Sequence, residues 1–398
     1  MREAVIVDAV RTPVGRGRPG GALAGWHPAD LLAHTLGGIV ERIDLDPVCI
    51  DDVLIGCVSQ VGEQSVNIAR SAVLGAGFPV SVPAATIDRQ CGSSQQALHF
   101  ATHAIESGAQ DVVIVGGVEV MSRVPLGSSS AGRDPHGTRM RARCADRLVD
   151  QGVAAELIAA KWGMTRGEVD EYAARSQQRA VAAADDGRTS SELLTVPIDR
   201  GDGPTGEHLG RDEGLRPGTT VASLADLPLA FVDDDVRRRL PNLRGVVHAG
   251  NSSQLSDGAA AMVVMAHDVA LDRGLQPRAR VRATSVVGDD PILMLTGIVP
   301  ATNRVLERSG IALEDIDVFE VNEAFAPVVL AWLHATGADP DRVNVHGGAI
   351  ANGHPLGASG AKLVATLLNV LDRVDGRLGL LTMCEGGGMA NATIIERL

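Results

Sequence analysis

The chain has 398 residues, 45% of them hydrophobic and only 2% aromatic, with 46 glycines and a formal net charge of -13. That length can bury a large core and suggests two or three domains. The acidic balance and scarce aromatics exclude a protein that stacks bases or clings to anionic membranes.

Taken in order, the apolar run at 4–10 predicts a strand, closed by Arg11-Thr12-Pro13. The N-terminus enters this strand without a signal-peptide core, and no apolar run reaches membrane-span length, so a cytoplasmic protein is expected. Gly15-Arg16-Gly17-Arg18-Pro19-Gly20 matches G-x-G-x-x-G, but a dinucleotide loop opens directly into a helix. Here Pro19, Gly20 and Gly21 lead into more loop, so the match is a decoy. A helix follows over 28–43, with Asp30 in its first turn, then a strand over 53–58 and a helix over 68–75. Thr86-Ile87 meets the polar break Asp88-Arg89-Gln90, then Cys91, Gly92, Ser93 and Ser94. Small and apolar residues then recur at helical spacing (Ala97, Phe100, Ala101, Ala104, Ile105) until Gly108. The continuous run at 111–117 reads as a buried strand, and the alternation of strand and helix favours a layered α/β domain.

From 122 to about 247 the texture changes: proline, glycine and charge rise and long apolar runs thin out. This reads as an inserted region of loops and amphipathic helices (154–161 and 166–185). Within it Asp233, Asp234 and Asp235 face Arg237, Arg238 and Arg239 as a solvated charged patch. Residues 248–265 return to a glycine-serine loop and then a small-residue helix or strand that resumes the first domain. A second α/β half follows: strand 280–287, helix 298–309, strand 317–321, a glycine-rich loop at 347–360, helix 361–371, strand 378–383 and a last strand at 389–397. The halves echo each other. Each sets a reactive residue (Cys91; His354) before a Ser/Gly-rich helix, then a buried strand ending in glycines. By pattern alone such an echo is common in α/β proteins.

Four places combine reactive groups with flanking glycine. Cys91 lies at a helix N-terminus, a position that favours a thiolate; on this stretch alone a buried structural cysteine stays an equal reading. Asn322 and Glu323 end a strand, where ligands of α/β sheets bind. His354, within GGAIANGHPLGASGA, is the natural base for a thiol nucleophile. Cys384, in CEGGG, sits beside free backbone N–H groups that could hold an oxyanion.

These segments, with RTPVGRGRPGGALAG, IDRQCGSSQQAL, GGVEVMSR, GNSSQLSDGAAA, VNEAFA and MCEGGGMANATI, occur in an order that spans the chain and resembles the thiolase family, the coenzyme-A-dependent 3-ketoacyl thiolases. The resemblance implies an α/β fold of two similar α/β/α/β/α halves with an inserted loop domain. It divides the chain into 1–121 plus 248–270, the insertion 122–247 for CoA binding and oligomer contacts, and 271–398. It implies Cys91 as the nucleophile that takes the acyl group, and His354 as the acceptor of its proton. Cys384 is then the acid/base, and Asn322 holds a water in the oxyanion hole. The Gly386 and Cys91 amides form a second oxyanion hole, and Ser253 contacts the pantetheine arm. It implies 3-ketoacyl-CoA and CoA as substrates, no tightly bound cofactor or metal, no nucleic acid or membrane partner, and a homodimer, or a homotetramer formed as a dimer of dimers held through the loop around residues 125–143.

Two departures bear on the substrate. Acetyl-specific biosynthetic members carry a His-Met pair where this chain has Asp150-Gln151, which tilts the expectation toward a longer or bulkier chain, cleaved in fatty-acid or sterol side-chain β-oxidation. The family's Leu-Arg-Pro-Ala-Phe reads Leu227-Pro228-Leu229-Ala230-Phe231, so a basic CoA contact is missing or passes to Arg237, Arg238, Arg239 or Arg244. A biosynthetic acetyltransferase and a non-catalytic acyl-CoA binder are the alternatives. Cys49, Cys57 and Cys144 have no reactive setting, His99 and His103 read as an ordinary helix face, and Glu323 reads at least as well as a structural partner of Asn322 as an acid.

Overall fold

The computed structural model describes residues 2–240, 243 and 245–398; Arg244, a candidate for the CoA phosphates, lies outside them. Twelve strands are described: β1 Ala4–Arg11, β2 Gly15–Arg16, β3 Asp52–Gly56, β4 Ala84–Ile87, β5 Val112–Val120, β6 Val196–Asp199, β7 Pro204–Leu209, β8 Ser256–Ala266, β9 Ala279–Gly288, β10 Val318–Val321, β11 Leu378–Glu385 and β12 Met389–Arg397. The helices are α1 Pro28–Arg42, α2 Ile68–Gly75, α3 Ser93–Glu106, α4 Gly137–Arg143, α5 Gln151–Trp162, α6 Arg166–Asp185, α7 Val221–Ala225, α8 Asp234–Arg239, α9 His267–Asp272, α10 Ile298–Ser309, α11 Ala326–Thr336, α12 Ala349–Asn352 and α13 Ser359–Val374. Among the described residues no helix is long and apolar enough to cross a membrane.

The main sheet runs β10-β11-β12-β9-β1-β8-β5-β3-β4, with β2 on β8. It reads as two half-sheets joined where Val5 and Ile6 of β1 meet Arg280 and Ala279 of β9. In the first half β4 and β5 flank β3 in parallel, and β8 joins β5 to β1 antiparallel. The second half repeats this. A bridge at Val343 and the strand β11 flank β10 in parallel, and β12 joins β11 to β9 antiparallel. The echo seen in sequence is therefore a repeated topology, in which α3 and α13 hold equivalent places.

These strands form for a common reason. β1, β5, β8 and β11 are buried along their whole length, as strands covered by helices on both faces must be. β8 settles an ambiguity: its small-residue run is a strand, and Ala259 to Ala261 let neighbours pack close on both faces. α3 and α13 fill the layer between the half-sheets, and α13 is buried from Ser359 through Leu371, which a helix facing apolar neighbours on all sides requires. α1 and α2 cover the outer face of the first half, and α10 and α11 that of the second.

The segment between β5 and β8 contains helices and loops, and also the hairpin β6–β7, which the sequence texture hides. Its helices α5 and α6 pack on the α11 side of the second half, through Ala155, Ile158, Val169 and Tyr172. The charged patch forms α8, where Arg238 meets Asp235 at 3.2 Å in solvent. A buried cluster ties the segment to the first strand: Arg11 Nε donates to Glu192 at 2.7 Å and Arg11 Nη1 to Asp212 at 2.7 Å.

Candidate active site

Cys91 occupies the turn between β4 and α3. Gln90 takes a left-handed φ of 50°, and Ser93 Oγ accepts from the Arg89 amide at 2.9 Å and donates to the Gln90 carbonyl at 2.5 Å. Gly92 is the N-cap and supplies no side-chain oxygen to the helix amides. The thiol is thus placed just before the helix but is only 3% exposed. This corrects the thiolate expected from its position. Burial, Cys384 and Glu385 all push the Cys91 thiol up, against one backbone hydrogen bond that lowers it. A helix terminus is worth up to ~2 kcal/mol, or roughly one to two pKa units, whereas full burial moves a group by up to ~3–5 units. The free site holds a thiol, and a base must take its proton.

His354 is held so that one ring nitrogen is free to accept a proton. Ser359 Oγ donates to the Pro355 carbonyl at 2.8 Å, so at 2.6 Å it accepts from His354 Nδ1–H. That network leaves Nε2 with its lone pair. Asn322 Nδ2 donates to this Nε2 at 3.4 Å, bringing two predicted residues into direct contact. Burial, and then the charge of Lys362, push the imidazole down to about 3, so it is neutral. Lys362 Nζ donates to Asn352 Oδ1 at 2.7 Å and to the Gly353 carbonyl at 3.2 Å, fixing the loop ahead of His354.

Glu323 follows Asn322 in the chain and is fully buried. Its carboxylate accepts from Tyr172 Oη at 2.8 Å, Ser176 Oγ at 2.7 Å, Asn344 Nδ2 at 3.2 Å and the Ile350 amide at 3.1 Å. A carboxylate with four donors is a structural anchor.

Cys384 ends β11, fully buried, and burial followed by Glu385 pushes its thiol up to about 12. Gly386 begins the turn to β12. A Cβ there would lie 3.0 Å from Gln90 Oε1 and 3.3 Å from Gln151 Nε2, so the turn closes on the Cys91 loop and on the N-terminus of α5. Ser253 is half-buried, and its amide donates to the Ala324 carbonyl at 2.9 Å, which sets it along the segment after Asn322.

The two helix starts touch. The Ala361 amide donates to Ser94 Oγ at 3.0 Å, and a Cβ on Gly360 would lie 2.4 Å from the Gln95 nitrogen. Glu119 locks the same junction, accepting from the Val58, Ser59 and Gly357 amides and from Gln64 Nε2. Sequence reasoning missed Glu119, Ser359, Lys362 and Glu385. Glu119 and Glu385 left a signal, each a lone charge in a strand that is otherwise apolar and glycine or nearly so. His99 is no ligand, since its Nε2 contacts Thr393 Oγ1 at 2.7 Å in the core.

Two halves of one topology, one setting a cysteine before its inner helix and the other a histidine, define a thiolase. Residues 4–268 match the thiolase N-terminal domain and residues 275–397 the thiolase C-terminal domain, and the chain belongs to that family. It is 45% identical over 411 residues to the steroid 3-ketoacyl-CoA thiolase FadA6 of Mycobacterium tuberculosis, covering 100% of this chain and 95% of that protein. It is also 45% identical over 402 residues to a 3-ketoacyl-CoA thiolase of Erwinia tasmaniensis, covering 100% of both. The acetyl-CoA acetyltransferase of Bacillus anthracis superimposes with a TM-score of 0.87 at 36% identity, over 100% of this chain and 99% of that one.

Proposed function

We propose that this protein is a 3-ketoacyl-CoA thiolase of degradative β-oxidation that acts on a long or bulky acyl chain. What supports the chemistry is that the starts of α3 and α13, which follow Cys91 and His354, touch, that His354 contacts Asn322, and that Cys384 lies near enough to Cys91 to push its thiol up. Cys91 Sγ attacks the 3-keto carbon while His354 Nε2 takes its proton. The C2–C3 bond then breaks, and its electron pair leaves as the enolate of acetyl-CoA. The imidazolium and the Asn322 side chain, through a water, hold the thioester oxygen. Cys384 protonates the carbanion. The Cys384 thiolate next takes the proton of incoming CoA, whose sulfur attacks the thioester carbon, and Cys91 leaves as the thiol by taking back the proton held on His354. The Cys91 and Gly386 amides hold the oxyanion of each tetrahedral intermediate.

The proposal extends to the surroundings. CoA is a co-substrate, and no cofactor is held between turnovers. Ser253 meets the pantetheine arm. A cleft of about 220 Å³ lined by His136, Arg141, Asp150, Val153, Arg239 and Leu240 adjoins Gln151 and offers basic groups to an acyl-CoA. The chain divides at 1–121 plus 248–270, 122–247 and 271–398, works in the cytoplasm and assembles as a dimer or tetramer. Gln151 where acetyl-specific members have a His-Met pair, together with the likeness to a steroid thiolase, supports the bulky chain.

The test is CoA-dependent loss of acetoacetyl, medium, long, branched and steroid-bearing 3-ketoacyl-CoAs, with Cys91→Ala as control. Activity that rises with chain size and vanishes in the variant is expected. Activity confined to acetoacetyl-CoA overturns the chain assignment, and none on any chain leaves a non-catalytic binder.

A further inference from the structure

Glu385 is a carboxyl group with only the charge of Arg89 to hold it as an anion among the described residues. It lies at the end of β11, fully buried, and among the described residues neither of its oxygens has a hydrogen-bond partner. It is laid flat against the nucleophile's turn: a Cβ on Gly92 would lie 2.0 Å from Oε1, 2.8 Å from Cδ and 3.2 Å from Cγ. Any larger residue there would displace the Glu385 carboxyl group. Asn391 Oδ1 on β12, two residues along from the strand partner of Glu385, is likewise a buried acceptor without a partner among the described residues. Asn391 Nδ2 reaches the Gly92 carbonyl at 3.5 Å, so Asn391 and Glu385 bracket the same peptide. The groups facing Glu385 are Asp88 and Arg89 from the preceding loop, Cys91 before α3, and Cys384 on its own strand. Arg89 is engaged with Met389 Sδ at 3.6 Å, across the hairpin from Glu385. A carboxylate in such a place is costly, whereas the acid is neutral and carries a donor besides.

We propose that Glu385 is a positioning residue for the nucleophile, working as the un-ionised acid: it seats the Gly92 peptide and so aims Cys91, and its ionisation shuts the site at alkaline pH. This rests on the thiolase reading for its kinetic arm but not for its chemical arm. Burial, offset by Arg89 and reinforced by Asp88, holds the proton up to about 9. Below that point the two thiols meet a neutral neighbour. Above it they meet an anion, which opposes both the Cys91 thiolate and the oxyanion that forms beside it.

Two readouts on Glu385→Gln and Glu385→Ala test this. The first is the pH dependence of Cys91 alkylation by iodoacetamide, followed by mass spectrometry, which needs no thiolase substrate. In Glu385→Gln the midpoint is expected to fall by about one pH unit, because the repelling charge is gone. The second is the pH profile of kcat/KM on the best acyl chain. In the same variant the alkaline limb is expected to move up, the opposite direction. Glu385→Ala loses kcat about tenfold or more with KM little changed, and Glu385→Gln recovers most of it, as for other loosened active-site geometries. Equal behaviour of the two variants, or an unmoved alkylation midpoint, reduces Glu385 to packing and overturns the proposal. A loss above about a hundredfold in Glu385→Gln makes the carboxylate the working form, the size expected for a lost base, and overturns it as well. If no chain is cleaved by the parent protein, the thiolase reading fails while the alkylation shift still stands or falls by itself.

Discussion

Each reactive side chain is held in the protonation state its neighbours impose. Because Cys91 and Cys384 both rest as thiols, each half-reaction needs one of them to move a proton. Cys384→Ala should therefore lower kcat by about 10²–10⁴-fold, the usual worth of acid/base help. Asn322→Ala should be milder, at about 2.7–4 kcal/mol of barrier for a lost oxyanion donor. Comparable turnover by Cys384→Ala and the parent would refute the role of that thiol. A different residue tests the electrostatics of the core. Burial, then His103, push His99 down to about 3, against an ordinary value of 6.5. The unfolded chain then binds a proton at this site that the folded chain does not. Stability from neutral His99 is complete above about pH 6.5 and is lost as pH falls through that value toward 3, with a slope of up to about 1.4 kcal/mol per pH unit. His99→Gln should flatten the acid side of a urea-midpoint against pH curve and leave the alkaline side unmoved.

Elements matter here by how closely they approach. The starts of α3 and α13 carry Cys91 and His354 from different halves, and their separation is set by Gly360 against the Gln95 backbone. Gly360→Ala should push the helices apart, lowering stability by about 1–3 kcal/mol, as overpacking does. It should also reduce kcat more than it raises KM, because nucleophile and base drift apart. Calorimetry and steady-state kinetics on the same preparation read both. Serine at Gly360 should be no better than alanine, since the obstacle is a backbone nitrogen.

The whole molecule is two copies of one topology that cannot come apart. The pairing of β1 with β9 makes the sheet continuous, and the inner layer of α3 and α13 is core to both halves. One cooperative unfolding transition is expected in a calorimetric scan, and two resolved transitions assigned to the halves would contradict this. On the proposed chemistry the labour divides between them: the first half supplies Cys91 as nucleophile, and the second supplies His354 as base, Asn322 and the Cys384 thiol. The motifs were legible because each is local. Cys91 precedes its helix by two residues, Asn322 follows β10 directly, and Cys384 lies one residue from the end of β11. The strand character of β8 was not legible, since its alanines suit a helix equally until neighbours on both edges decide. Nor was the state of Cys91, which a helix end alone would have lowered. The sequence by itself determined most elements outside the insertion and which segments carry reactive side chains, because periodicity and short motifs act within one element. Only the tertiary structure decided which groups are buried, hence that both thiols are protonated, His354 is neutral and Glu385 is an unpaired acid beside Gly92. Desolvation and proximity arise between segments far apart in the chain, and no local pattern records them.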